Sequence, residues 1–244
     1  MIGDITTVMT KEWREFFVSG GSRRTGLVFL LIVLAIFGLY LPYRAGPVLI
    51  SSPWIVVLYA FVLPVLLMSN IIADAIAGER ERHTLETLLA SRLSDRAIIL
   101  GKLGAAVGYS VALAVITALV GMVAANLQGG GSFQFYSFGV FASIVAFALL
   151  LSFLYASFGV LVSLRANTVR QAQLTMGVAM LVIYLLPILV YGTLSGTTRQ
   201  RFLDWISTAN WATVAYIAAA LILIDFIAIA VVILRFQRSR LILS

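Results

Sequence analysis

Three polar side chains fall within long apolar stretches of the sequence, where an acid or an amide is costly unless it faces protein or water. Asp225 lies near the middle of the last stretch, whereas Asp74 and Asn70 lie near the end of the second. Asp225 has two open interpretations: a residue of a transport pathway or subunit interface, or a protonated or hydrogen-bonded packing residue. Asp74 lies closer to a helix end, from which its carboxylate reaches water more cheaply.

The residues needed for metal or phosphate chemistry are sparse. The chain has no cysteine and one histidine, His83, so it offers neither a disulfide nor a cluster of thiolate and imidazole ligands. A phosphate-binding loop would require G-x-x-x-x-G-K-[ST], but Arg96 stands five positions before Gly101-Lys102, and Leu103 follows. We therefore expect no metal site, and no ATP hydrolysis by that type of loop, in this chain.

The composition is that of a protein dissolved in lipid. Hydrophobic residues make up 61% of the 244 residues and charged residues 11%, against roughly a quarter charged in soluble domains. Six uncharged stretches approach or exceed the length that crosses a bilayer as a helix. They cover residues 26–43, 54–76, 103–127, 137–164, 174–194 and 213–234. The sequence therefore predicts an all-α, polytopic membrane protein in which residues 1–244 form one transmembrane domain, and we expect the first stretch to be a retained helix.

The distribution of basic residues predicts the orientation. If the N-terminus is cytoplasmic, 14 of the 17 Lys and Arg residues fall in inner segments, and only Arg44, Arg199 and Arg201 fall outside. Cytoplasmic loops are enriched in Lys and Arg, so both termini are expected in the cytoplasm of a cell whose plasma membrane holds the protein. The same pattern accounts for the net charge of +7 without a nucleic-acid partner. A polyanion-binding surface is the weaker alternative.

An amphipathic helix is predicted over residues 4–18, before the first span. Ile5, Val8, Met9 and Trp13 recur at helical spacing, and the charged residues face elsewhere. We expect this helix to lie in the inner membrane interface and contact lipid, the alternative being a helix packed on a soluble core.

The loop at residues 78–102 combines interleaved charges with a short apolar stripe. Leu85, Leu88 and Leu89 have i, i+3, i+4 spacing, which predicts a short helix with one apolar edge, suited to docking into a groove on a partner. Ser94 then offers an N-cap for the helix that continues into the third span. A merely solvated charged loop is the alternative.

This loop resembles the segment that follows the second span in ABC-2 type ABC transporter permeases. The resemblance is carried by Gly-Glu-Arg-Glu-Arg-x-Thr-Leu-Glu-x-Leu-Leu from residue 78, followed by Arg-x-x-x-x-Gly-Lys ending at Lys102. It implies an N-terminal elbow helix, six spans, a partly helical last outer loop and a coupling helix that seats in an ATPase subunit. The residues expected at that contact are Glu79, Arg80, Glu81, Arg82, Thr84, Leu85, Glu86, Leu88 and Leu89. The chain departs from the family pattern at His83, where Gly is common, and at Arg92-Leu93, where Pro is common.

The resemblance also implies partners. A separate ABC ATPase subunit would bind ATP and Mg²⁺ and hydrolyse the nucleotide, and a second permease chain, identical or different, would complete a prokaryotic exporter. Two other function classes stay open from the residues alone. An ATP-independent secondary transporter or channel would need intramembrane polar networks or matching broken helices. An intramembrane enzyme would need clustered catalytic groups in its spans.

Two stripes of small residues predict close helix packing. Gly104, Gly108 and Ala112 share one face of the third span. The fourth span has a longer stripe, formed by Ser152, Ala156, Gly159 and Ser163.

Overall fold

Helices form every regular element in the part of the chain that the structure, a computed structural model, describes. That part comprises residues 2–18, 28, 30–51, 54–84, 90–129, 131–207 and 211–236. Within these ranges the predicted all-α class is confirmed.

Nine helices can be followed through the described ranges. The first four are α1 (Ile2–Val18), α2 (Leu30–Ala45, with a π-helical stretch at Leu34–Tyr40), α3 (Val48–Ser51) and α4 (residues 54–81). Helix α4 joins Trp54–Val57, the π-helical stretch Leu58–Val62 and Leu63–Glu81 without interruption. The remaining helices are α5 (Asp95–Leu127), α6 (Phe138–Arg165), α7 (Val169–Thr193), α8 (Gly196–Ser207) and α9 (Trp211–Arg235).

Long apolar helices account for the membrane character of the chain. Among the described residues, α5, α6 and α9 are long and apolar enough to cross a bilayer, and shorter apolar helices occupy Leu30–Ala45 and Val169–Ile183. The chain is therefore a membrane protein, whereas the count of six spans stays a prediction.

Capping side chains set the beginnings of three of these helices. The Ser94 hydroxyl accepts a hydrogen bond from the Ala97 amide at 3.3 Å, which confirms the predicted N-cap. Ser137 and Thr168 cap α6 and α7 in the same way. Because α5 begins at Asp95, the motif residue Lys102 lies two turns inside this helix.

Small residues bring α6 close to α4 and α5, as predicted for the stripe in the fourth span. A methyl group on Gly159 would collide with Ile72 of α4. The Ser163 hydroxyl accepts from the Ala77 amide at 2.9 Å and donates to the Ala73 carbonyl at 3.0 Å. Buried polar contacts of this kind fix the register of the two helices.

Helix α1 packs along the first turns of α5. A Cβ on Gly101 would lie 2.6 Å from the Cβ of Val8, and one on Gly108 would lie 3.1 Å from the Trp13 ring. The Trp13 indole also donates to the Ala105 carbonyl at 2.9 Å. Much of the apolar face of α1 therefore packs on protein, and Gly108 of the predicted stripe, together with Gly101, admits this elbow helix.

Candidate functional site

Glu79, a residue of the predicted coupling motif, lies at the inner end of α4 and is almost fully buried. Its Oε1 lies 2.9 Å from Lys11 Nζ of α1 and 3.3 Å from Lys102 Nζ of α5. Its Oε2 accepts a hydrogen bond from the Thr84 hydroxyl. The Glu79 carboxylate thus contacts three segments of the chain: the elbow helix α1, the start of the loop after α4, and α5.

Lys102 supplies the buried charge opposite Glu79. Its side chain is 2% exposed, and its Nζ lies 2.6 Å from Glu12 Oε1 of α1. Lys11 is more exposed and bridges Glu79 to Glu15, whose carboxylate lies 3.1 Å away. We call Lys11, Glu12, Glu79, Thr84 and Lys102 the inner polar cluster. A charge buried this deeply is tolerated only because opposite charges and hydrogen bonds surround it.

The cluster shifts the protonation equilibrium of Glu79, which lies three residues beyond the predicted end of the second span. Burial by itself would raise the pKa of this carboxyl, but Lys102, the Thr84 hydroxyl and Lys11 together lower the pKa from 4.5 to about 2. The acids likewise raise the pKa of Lys11 against the opposing effect of its partial burial. Both groups are therefore charged at neutral pH.

Three carboxylates of this region could in principle ligate a cation. Glu12, Glu15 and Glu79 each offer an oxygen within 4.8 Å of the others. Two ammonium groups already lie among them, because Lys102 contacts Glu12 and Glu79 and Lys11 contacts all three. We therefore assign this region to charge pairing and not to metal binding.

Arg80 and Glu81 connect the end of α4 to the turn between α6 and α7. The Arg80 guanidinium donates to the Ala166 carbonyl at 2.6 Å and to the Leu164 carbonyl at 3.3 Å. The Glu81 carboxylate accepts from the Val169 amide at 3.0 Å. Arg80 thereby satisfies carbonyls at the C-terminus of α6 and Glu81 an amide at the N-terminus of α7, groups that a helix leaves without internal partners.

Asp74 and Arg82 form an ion pair across Gly78. The guanidinium makes two hydrogen bonds to the carboxylate, at 3.0 and 3.3 Å. A side chain on Gly78 would collide with Asp74 and would lie 2.8 Å from the guanidinium. The first residue of the Gly-Glu-Arg-Glu-Arg motif is therefore glycine because an ion pair passes over it. Asp74, predicted as a polar residue near the inner end of the second span, has a partner in the motif.

A backbone turn follows α4. His83 has a φ of 57°, in the left-handed region that favours glycine. This is the position at which the sequence departs from the Gly of the resembling family, and the imidazole there is exposed.

The predicted site residues thus fall into three groups. Glu79, Arg80, Glu81, Arg82 and Thr84 come together around the inner end of α4, each with a partner inside the chain. Leu85, Glu86, Leu88 and Leu89 lie outside the described residues, as does the Asn70 side chain, although its backbone belongs to α4. Whether these residues touch an ATPase stays a prediction.

Sequence reasoning missed Glu12 as a site residue. The position of Glu12 predicts its burial, because it follows Ile5 and Val8 at spacings of seven and four residues and so lies on the apolar stripe of α1. A carboxylate on the face that packs against another helix requires a buried cation, and Lys102 is that cation.

Asp225 lies far from this cluster along the chain, on α9. It is 6% exposed, and neither of its carboxylate oxygens has a hydrogen-bond partner. Its burial within a single chain favours a pathway or packing residue over a residue at a subunit interface.

Comparison with known proteins bears on the whole chain. A family model described as ABC-2 family transporter protein matches residues 6–241. No curated protein sequence matches.

Proposed function

Because the chain belongs to the ABC-2 family of transporter proteins, we propose that it is the permease subunit of an exporter and is driven by a separate ATPase chain. Family membership and the long apolar helices support a membrane subunit of an ABC transporter. In this proposal the partner ATPase binds ATP and Mg²⁺ and hydrolyses the nucleotide, and this chain forms half of the translocation pathway. A second permease chain forms the other half.

The inner polar cluster is the observation that carries the coupling part of this proposal. Glu79 contacts Lys11 of α1 and Lys102 of α5, so the inner ends of three helices share one set of charges. Pulling one partner away would leave a buried charge unpaired, at a cost of several kcal/mol. A push on the end of α4 therefore moves α1 and α5 with it.

The motif side chains then divide between two tasks. Glu79 and Arg80 have their polar atoms engaged inside the chain and hold the loop in place. The contact with the ATPase falls to the side chains that follow, which are exposed although they too have partners inside the chain, and to the apolar edge predicted after them. These residues are Glu81, Arg82, Thr84, Leu85, Glu86, Leu88 and Leu89.

The charge distribution supports the orientation that coupling requires. With both termini cytoplasmic, the loop at residues 78–102 faces the compartment in which ATP is available. The basic inner segments also suit a prokaryotic plasma membrane with anionic lipid on its inner face.

Co-purification with an ABC ATPase subunit co-expressed with this chain tests the proposal. The double change Leu85→Glu, Leu88→Glu should abolish co-purification and transport-dependent ATP hydrolysis, because two charges cannot enter an apolar groove. The control Phe133→Glu, Phe135→Glu changes two exposed apolar residues between α5 and α6 and should leave both unchanged. Retained association in the leucine variant would overturn the coupling assignment. Transport without any ATPase would favour the channel or secondary-transporter alternative.

A further inference from the structure

The loop between α5 and α6 exposes two aromatic rings that lie against each other. Phe133 and Phe135 are 47% and 72% exposed, and their ring centroids are 4.9 Å apart. We call these two residues the outer aromatic pair. A third exposed ring follows in the first turn of α6, where Phe138 is 88% exposed. Large apolar side chains grouped on one short loop mark an interaction surface.

The loop that carries the outer aromatic pair is fixed to α5. The Asn126 side chain accepts from the Gln134 amide at 2.7 Å and donates to the Gln134 carbonyl at 2.9 Å. Two residues further on, the Tyr136 hydroxyl donates to the Ala118 carbonyl at 3.0 Å. The two rings are therefore held in place before they meet a partner, so their binding orders little additional chain. The amide and carbonyl of Gln134, which flanks both rings, need no water as a partner.

The length of α5 and α6 gives the level of this loop relative to the membrane. Lys102 and Arg165 are the last charged residues before and after it, and both lie at the end of the molecule that holds the inner polar cluster. From Lys102 to Leu127 the helix rises about 38 Å, and from Arg165 back to Phe138 about 40 Å. A bilayer measures about 30 Å across its hydrocarbon core and about 40–45 Å with its headgroups. With the charged ends at the inner surface, both helices end in the outer headgroup layer.

The absence of charge distinguishes this loop from the other outer loop that the structure describes. Residues 103–164 include no Asp, Glu, Lys, Arg or His. The loop between α7 and α9 instead exposes Arg201 and Asp204 on α8. Uncharged segments with exposed Phe side chains bury these rings about 5–10 Å into the boundary between headgroups and acyl chains. The loop after α5 has this composition and lies at this level.

We propose that the outer aromatic pair inserts into the outer leaflet of the bilayer and attaches the loop between α5 and α6 to it. The rings reach the upper acyl chains, while the loop backbone stays among the headgroups, because its polar groups exclude it from the hydrocarbon core. This inference goes beyond the proposed function, since it requires a membrane and no ATPase. It implies that the outer ends of α5 and α6 are held at a fixed depth, whereas their inner ends join α1 and α4.

Collisions of a nitroxide label with oxygen and with a nickel chelate test this insertion. Oxygen concentrates in lipid and the chelate in water, and the chain has no cysteine, so one introduced cysteine carries the only label. The full-length chain is measured in nanodiscs of phosphatidylethanolamine and phosphatidylglycerol. The ratio of oxygen to nickel collisions should be at least about threefold higher for Phe135→Cys than for Gln200→Cys. Gln200 is the matched control, because it is an exposed polar residue of α8.

A label at the exposed Ser132 keeps both rings and measures what they contribute. The collision ratio of Ser132→Cys should fall at least about twofold when Phe133→Ser and Phe135→Ser are added, because the loop then moves toward water.

Three results would overturn the assignment. The first is an equal ratio for Phe135→Cys and Gln200→Cys. The second is exclusion of both reagents from the label at Phe135→Cys, which would mean that a protein surface, such as a second copy of the chain, covers the pair. The third is an unchanged ratio for Ser132→Cys after both rings are lost. None of these results bears on coupling to the ATPase, because the loop lies at the end of α5 opposite the inner polar cluster.

Discussion

Lys102 Nζ lies 2.6 Å from Glu12 Oε1, although ninety residues separate the two side chains in sequence. This contact attaches the elbow helix α1 to α5, and Glu79 extends the attachment to α4. Both members of the pair are almost fully buried, so their interaction is only weakly screened by water or salt.

Replacing Lys102 should destabilise the chain strongly. Lys102→Met leaves Glu12 and Glu79 without their buried cation and with only the more exposed Lys11 between them, which should cost about 3–5 kcal/mol. Arg82→Met breaks the more exposed pair with Asp74 and should cost less than about 1 kcal/mol. Thermal unfolding in detergent measures both variants, and similar losses would contradict the burial argument.

Acid should weaken the inner polar cluster in a defined range of pH. The pKa of Glu79 is about 2 in the folded chain, below its ordinary value of 4.5. The folded state therefore binds this proton less readily than the unfolded state, and the stabilisation is complete above about pH 4.5 and is lost as the pH falls toward 2. Unfolding midpoints measured against pH should show the advantage of wild type over Glu79→Gln shrinking across this range. An advantage independent of pH would contradict the assignment.

A single methyl group should displace the elbow helix. In Gly101→Ala the new Cβ would lie 2.6 Å from the Val8 Cβ, so α1 has to shift, at a cost of about 1–3 kcal/mol. Gly177→Ala is the matched control, because no atom lies within 4 Å of a Cβ at that helical position. The control should be neutral or stabilise by about 0.5–1 kcal/mol. Unfolding midpoints that move in the same direction would argue against close packing of α1 on α5.

Glycine at position 83 should stabilise the turn after α4. The exposed His83 has a φ of 57°, which costs a residue with a side chain roughly 1–2 kcal/mol, and glycine avoids this cost. His83→Gly should therefore raise the unfolding midpoint. His83→Ala keeps the Cβ and should not raise it, so a gain in both variants would point to the imidazole instead of the backbone.

The elements of the fold were predictable because they depend on local signals. The length of an apolar stretch and a capping serine at position 94 require no knowledge of distant residues, and α5, α6 and α9 match these signals. The stripe at Ser152, Ala156, Gly159 and Ser163 predicted close packing for the same reason. The stripe alone did not show that its partner is α4.

The contacts of the candidate site were not predictable in the same way. Arg80 donates to backbone carbonyls 84 and 86 positions further along the chain, and every residue offers a carbonyl, so no residue type marks the acceptor. Glu79 was expected at a partner protein, but its neighbours are two lysines that come from either side of it in sequence. Charges alone do not show whether a motif faces outward or inward.

The three consecutive residues Glu79, Arg80 and Glu81 find their partners at different moments of biosynthesis. Lys11 has already left the ribosome when Glu79 emerges, Lys102 follows with the next helix, and the groups contacted by Arg80 and Glu81 arrive only with the turn between α6 and α7. Arg80 and Glu81 at the end of α4 therefore have these hydrogen-bond partners only after the second half of the protein has been synthesised. In a chain truncated after α5, Arg80 and Glu81 would lack the backbone groups that they contact in the complete protein. Cellular quality control could recognise the truncated chain by these unpaired charges.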